Sequence, residues 1–206
     1  MNRNVSSLIA TPQIRISTQQ DILEIEKTRI EDVGLAANTY ELIKTAAIIY
    51  QDRVALRFLP EATLEEQSIT YTYTKLFAKV TQAANTFHQF GIDSEQVVSM
   101  LLPNLPESHF TIWGAEAAGI FNPLNTMLEV EHLASIMQEA KTKVLVCLGP
   151  DSDASMWRKV IAVKELVPTL STVLTVDLPG VKQRGTHITD SVFDFIVCSA
   201  AYSITE

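Results

Sequence analysis

The stretch "QVVSMLLPNLPESHFTIWGAEAAGIFNPL", residues 96–124, decides the fold. It opens on a nearly continuous apolar run, passes through a proline-asparagine turn, continues at helical spacing, and closes on a second apolar run. A strand that is apolar on both faces belongs inside a parallel sheet with helices on each side. The turn "LPNLPE" is expected to launch the helix. Asn104 would be the N-cap, Pro106 would sit in the first turn where its missing N–H is no loss, and Glu107 would complete an N-x-x-E capping box. A strand-to-helix turn is also a common place for a phosphate, yet this one contains no glycine.

Downstream the same unit repeats: "EVEHLASIMQEA" reads as helix, "KVLVCL" as strand, "SMWRKVIAVKEL" as helix and "TVLTVD" as strand. Such alternation predicts an α/β fold, a layered parallel sheet flanked by helices with right-handed crossovers. Upstream, "NTYELIKTAAIIY" reads as a helix capped by Asn38, with Glu41 placed to reach back. Two β-rich runs, 54–59 and 69–73, flank a charged loop and predict a hairpin. The helix "TKLFAKVTQAANTFHQFG" carries a stripe of Leu76, Phe77, Val80, Ala83, Ala84 and Phe87, and Gly91 stands where a left-handed C-terminal cap belongs. Residues 1–20 read as a loose polar arm, followed by a short helix in "DILEIEKTRI". The expected division is 1–37 arm and short helix, 38–188 the α/β unit, and 189–206 an apolar tail in need of a neighbour.

The chain has 206 residues, 47% hydrophobic and 19% charged, with mean hydropathy +0.13, enough to bury a sizeable core. A net charge of −8 and a pI near 5.0 argue against a nucleic-acid partner, which demands a basic face. Cys147 and Cys198 lack C-x-x-C spacing and read as buried thiols in a reducing compartment. The N-terminus has no signal-peptide pattern and no apolar run suggests a transmembrane segment, so a cytoplasmic location is expected.

The chemistry-bearing residues are sparse. The seven glycines form neither G-x-G-x-x-G nor G-K-[ST]; Gly114 and Gly119 read as helix-packing positions. His88, His109, His132 and His187 include no i, i+4 pair, so no metal-binding helix is predicted. Ser199 lacks the glycines of a nucleophile elbow. The acids of "EATLEE" and "GPDSD" read as solvated turns. "NPLNTML" is the unusual strand end, because Pro123 halts pairing while Asn122 and Asn125 stand at a carboxyl edge where ligands of open α/β sheets gather.

Four signatures in order resemble the N-terminal part of AMP-forming acyl-CoA synthetases, the adenylate-forming ligases. They lie in "ITYTYTKLFAKVTQAANTFHQFGI", "VVSMLLPNLPESHFTIWGAEAAGIFNPLN" and "LEVEHLASIMQEAKTKVLVCLGP", within about residues 38–180. Lys75 stands where the family has Glu, at a surface helix site. The resemblance implies an incomplete N-terminal subdomain of such a ligase. It also implies a reaction in which a carboxylic or fatty acid, ATP and coenzyme A give acyl-CoA, AMP and pyrophosphate. ATP, Mg²⁺ and coenzyme A belong to the complete enzyme. The family's phosphate loop, Y-G-x-T-E segment, ribose-binding Asp and catalytic Lys have no counterpart in these residues, so no catalytic or metal-binding residue carries over and none of these ligands is expected on this chain alone. The resemblance brings the pantetheine arm of coenzyme A near the ligand-facing loops, which makes Asn125 and Thr126 candidates for lining that route. The expected partner is the remainder of the synthetase, or a second copy through the apolar tail. The alternative is a non-catalytic interaction or scaffold domain derived from the same fold. A flavodoxin-like nucleotide binder would need glycine- or hydroxyl-rich turns, which are absent.

Overall fold

The computed structural model describes residues 15–27, 29, 36–60, 63, 67–150 and 152–177. The 189–206 tail, with Cys198 and Ser199, and the positions Gly180, Gly185 and His187 lie outside the described residues. In chain order the elements are α1 (Gln19–Glu26), α2 (Thr39–Tyr50), β1 (Val54–Phe58), β2 (Ile69–Thr72), α3 (Tyr73–Gln89) and β3 (Val97–Leu101). There follow α4 (Pro106–Ala118), β4 (Ile120–Pro123), α5 (Val130–Glu139), β5 (Thr142–Leu148), α6 (Ala154–Leu166) and β6 (Thr172–Val176).

β1 and β2 pair antiparallel as the expected hairpin. The remaining strands form a four-stranded sheet in the order β4-β3-β5-β6, parallel throughout. β3, β5 and β6 alternate their side chains between two cores. Val98, Met100, Val144, Val146, Leu148, Leu174 and Val176 face the first, against Leu76, Val80, Ala83 and Phe87 of α3 and Phe110 and Ala115 of α4. Leu101, Leu145 and Cys147 face the second, against Leu133, Ala134 and Met137 of α5 and Met156, Val160 and Val163 of α6. Burial on both sides explains why the strands read as unbroken apolar runs. At Cys147 burial pushes the thiol up to about 12, so it is a neutral core group rather than a nucleophile.

Where α3 crosses α4 the side chains are small. A Cβ on Gly114 would lie 2.5 Å from Ala83 Cβ and 3.0 Å from the Ala84 nitrogen, so the residue is glycine for close helix packing. Gly91 takes φ +75, the left-handed cap expected after α3.

The start of α4 corrects the sequence expectation. Leu105, not Asn104, holds the extended N-cap position, and Pro106 is the first helical residue. Ser108 stabilises the turn: its hydroxyl donates to Pro103 O at 2.6 Å and accepts the Leu105 N–H at 3.3 Å. Asn104 is exposed, and Glu107 is half-buried instead of reaching back. Asn38 does cap α2, accepting the Glu41 N–H at 2.9 Å, but the Glu41 carboxylate pairs with Lys44 at 3.3 Å. α1 begins at Gln19, inside the expected arm, because Thr18 and Asp21 form a capping box.

Candidate functional site

In the order β4-β3-β5-β6 the chain steps from β3 to β4 on one side, then crosses back to β5 on the other. The carboxyl ends of β3 and β5 therefore flank the point where strand order reverses, the usual ligand crevice of a doubly wound sheet. Four segments leave the sheet on this edge: residues 102–105 after β3, 124–129 after β4, Gly149 after β5 and Asp177 after β6.

The β4 segment carries both candidate residues and is tied down along its length. Leu124 is buried, and its N–H donates to Met100 O at 2.9 Å. Asn125 Oδ1 accepts the Met127 N–H at 2.9 Å, an Asx turn, while Asn125 O accepts the Leu128 N–H at 3.2 Å. From α6, Lys159 Nζ donates to Leu128 O at 3.0 Å and stands 3.9 Å from the Glu129 carboxylate. Asn125 is exposed and Thr126 half-buried, and Met127 beside them is 83% exposed. Asn125 thus presents an exposed side chain whose Oδ1 is engaged in the turn.

Asn122, the other asparagine of this motif, points elsewhere. Its Nδ2 donates to Ser99 Oγ at 2.9 Å, and that hydroxyl lies 2.7 Å from Thr142 Oγ1. This chain across β4, β3 and β5 was invisible in the sequence, since nothing local places Ser99 between two polar partners.

At the β5 exit, Gly149 O accepts the Ser152 and Asp153 N–H groups at 3.0 Å each. Asp153 Oδ1 caps α6 by accepting from Ser155 and Met156 at 2.9 Å. A Cβ on Gly149 would stand 2.8 Å from Asp177 Oδ1, so β5 leaves the sheet close against the end of β6.

The first turns of α4 and the facing β2 hold perturbed titratable groups, of which Glu107 was expected only as part of a cap. Burial raises the Glu107 carboxyl above its ordinary range, against an opposing pull from Lys79. Burial, then the Glu107 charge, raises the Tyr71 phenol. Burial holds the His109 imidazole toward its neutral form, with its ring 5.5 Å from that of Trp113. Tyr71 meets Phe110 edge-on at 5.0 Å, so this group seals the hairpin onto α4.

Away from the strands, a cleft of about 290 Å³ lies between the N-terminus of α2, the C-terminal half of α3 and the last turn of α4, lined by Tyr40, Thr81, Asn85, His88 and Glu116. His88 donates from Nδ1 to Ile92 O at 2.8 Å. The cleft contains no pairing of a nucleophile with a base. Among the described residues, no group of three or more His, Cys, Asp and Glu side chains is placed to hold a metal ion. Nor is any described helix long and apolar enough to cross a membrane.

Comparison with known proteins meets this geometry from outside. The family model described as AMP-binding enzyme matches residues 43–196. A marinolic acid–CoA ligase from a Pseudoalteromonas species is 35% identical over 159 residues, covering 77% of this chain and 24% of the ligase. A crotonobetaine/carnitine–CoA ligase from Salmonella arizonae is 34% identical over 103 residues, covering 50% of this chain and 19% of that protein. The chain thus spans about a quarter or less of the curated relatives it matches. In fold it is similar to acetoacetyl-CoA synthetase from Streptomyces lividans, with TM-score 0.62 at 21% identity over 71% of this chain and 23% of that one. It is also similar to the N-terminal domain of FACL13 from Mycobacterium tuberculosis, with TM-score 0.57 at 20% identity over 67% of this chain and 33% of that one.

Proposed function

Because the chain belongs to the AMP-binding enzyme family, we propose that it is the N-terminal segment of an ATP-dependent acyl-CoA synthetase and is inactive by itself. The observation that carries this reading is the 159-residue match, which covers 77% of this chain and only 24% of a much longer CoA ligase. The reaction joins a carboxylic or fatty acid to coenzyme A through an acyl adenylate. Charge developing at the α-phosphate requires preorganised donors, a Lys and Mg²⁺. The described residues offer neither a phosphate-cradling loop nor a metal set, so no step of adenylation is assigned to them. Their part is to support the ligand edge.

In this reading Asn125 and Thr126 line the route of the pantetheine arm. The exposed Asn125 amide, the Thr126 hydroxyl and the exposed Met127 suit a chain of amides and methylenes ending in a thiol. A cytoplasmic location fits a protein that works with ATP and coenzyme A. ATP–pyrophosphate exchange with the purified chain and a panel of fatty and aromatic acids tests the proposal. No exchange is expected, and turnover with any acid would sink it.

The second reading, a stand-alone interaction domain, is favoured by one observation: helices cover both faces of the sheet, leaving two filled cores. A monodisperse chain that unfolds in one transition without any partner would support it.

A further inference from the structure

Among the described residues β4 is an edge strand of only four residues, paired on one side alone. Strands of this kind are prone to fray or to slip in register. Pro123 brings no N–H, so β4 is poor in backbone donors just where the chain turns out of the sheet. Asn122 compensates. It stands opposite Ser99 in the β3–β4 register, and its Nδ2 reaches a hydroxyl that is wholly buried and itself bonded to the equally buried Thr142. Only register-correct pairing brings residue 122 to Ser99. A slip by one residue would turn Asn122 to the other face and leave the buried Ser99 hydroxyl with one partner fewer. Three residues later the chain reaches Asn125.

We propose that Asn122 is a positioning residue: through the buried Ser99–Thr142 pair it fixes the register of β4, and with it the place of Asn125 and Thr126 on the ligand edge. The inference rests on the reading of those two residues as the coenzyme A route, and its test separates the two. Amide hydrogen exchange would be followed by NMR in the whole 206-residue chain and in Asn122→Leu, Ser99→Ala and the double variant. Leu124 and Leu128 are expected to exchange roughly tenfold faster in each single variant and no faster in the double than in Ser99→Ala, because both changes break the Asn122–Ser99 bond and Ser99→Ala alone also breaks the bond to Thr142. Val146 and Leu174, in β5 and β6, should keep their rates. Unchanged exchange at Leu124 and Leu128 overturns the proposal, as does equal acceleration at all four sites, the signature of a merely global loss. Should Asn122→Leu fail to fold, Ser99→Ala, which removes a single oxygen, carries the test alone. Full binding of coenzyme A belongs to the complete enzyme; at millimolar concentration, weak contact of coenzyme A with the route is expected to shift the Asn125 side-chain amide in the wild-type chain and to need several-fold more ligand in Ser99→Ala. Absence of any wild-type shift overturns the coenzyme reading while exchange still decides the positioning. Equal affinity in the two chains overturns the positioning.

Discussion

Glu107 shows how a single residue changes meaning once the chain folds. On sequence it completes a capping box; in the structure it is half-buried beside Tyr71, with its carboxyl raised by desolvation. A carboxyl whose folded pKa lies above its unfolded one contributes stability that is full below the unfolded pKa and is lost as pH rises through the folded value. Glu107→Gln, which keeps the shape and removes the charge, should therefore raise the urea midpoint at pH 7. The gain should vanish below the ordinary carboxylate range, where the parent residue is also neutral. Paired urea titrations at pH 7 and pH 3.5 check this, and an equal difference at both pH values would refute it. Thr111, fully buried on the same helix with no partner for its hydroxyl among the described residues, is a further group that no periodicity analysis would have singled out.

At the scale of elements, helix and strand positions were legible in the sequence because their signals are local. Apolar spacing, Gly91 and the cap at Asn38 each act within a few residues of themselves. The α4 start was legible as an event and misread in its chemistry. Asn104 has the right side chain for a cap, but Pro106 places the N-cap at Leu105, and the buried Ser108 hydroxyl can reach Pro103 O. Ser108→Ala should cost about 1–2 kcal/mol by leaving the buried Leu105 N–H and the Pro103 carbonyl short of a partner. Asn104→Ala should stay within about 0.5 kcal/mol, as an exposed change does. Chemical denaturation of the two variants side by side measures both; the reverse order would restore Asn104 as the cap. The Asn122–Ser99–Thr142 chain was not legible at all, since its members come from three strands and meet only through register.

For the whole molecule, the exposed apolar residues matter most. Leu42, Ile48 and Ile49 of α2 and Val54 of β1 are 41%, 66%, 40% and 49% exposed, a concentration of apolar surface in neighbouring stretches of chain. Apolar side chains exposed to this degree on adjoining elements favour association with other protein. The chain covers 24% of its Pseudoalteromonas relative, which leaves ample further sequence in such enzymes to cover it. The isolated chain should associate with rising concentration in sedimentation velocity, and Ile48→Lys with Val54→Thr should shift it toward monomer. A parent chain that stays monomeric at high concentration would exclude a sticky face here. By itself the sequence determined the α/β class, the order of elements, the apolar strands and the family resemblance, because periodicity and ordered motifs are written along the chain. Tertiary structure alone decided the strand order β4-β3-β5-β6, the point where it reverses, the buried hydroxyl chain beneath β4, and the true cap of α4. Those depend on which distant residues become neighbours, and on the desolvation that only a closed core imposes.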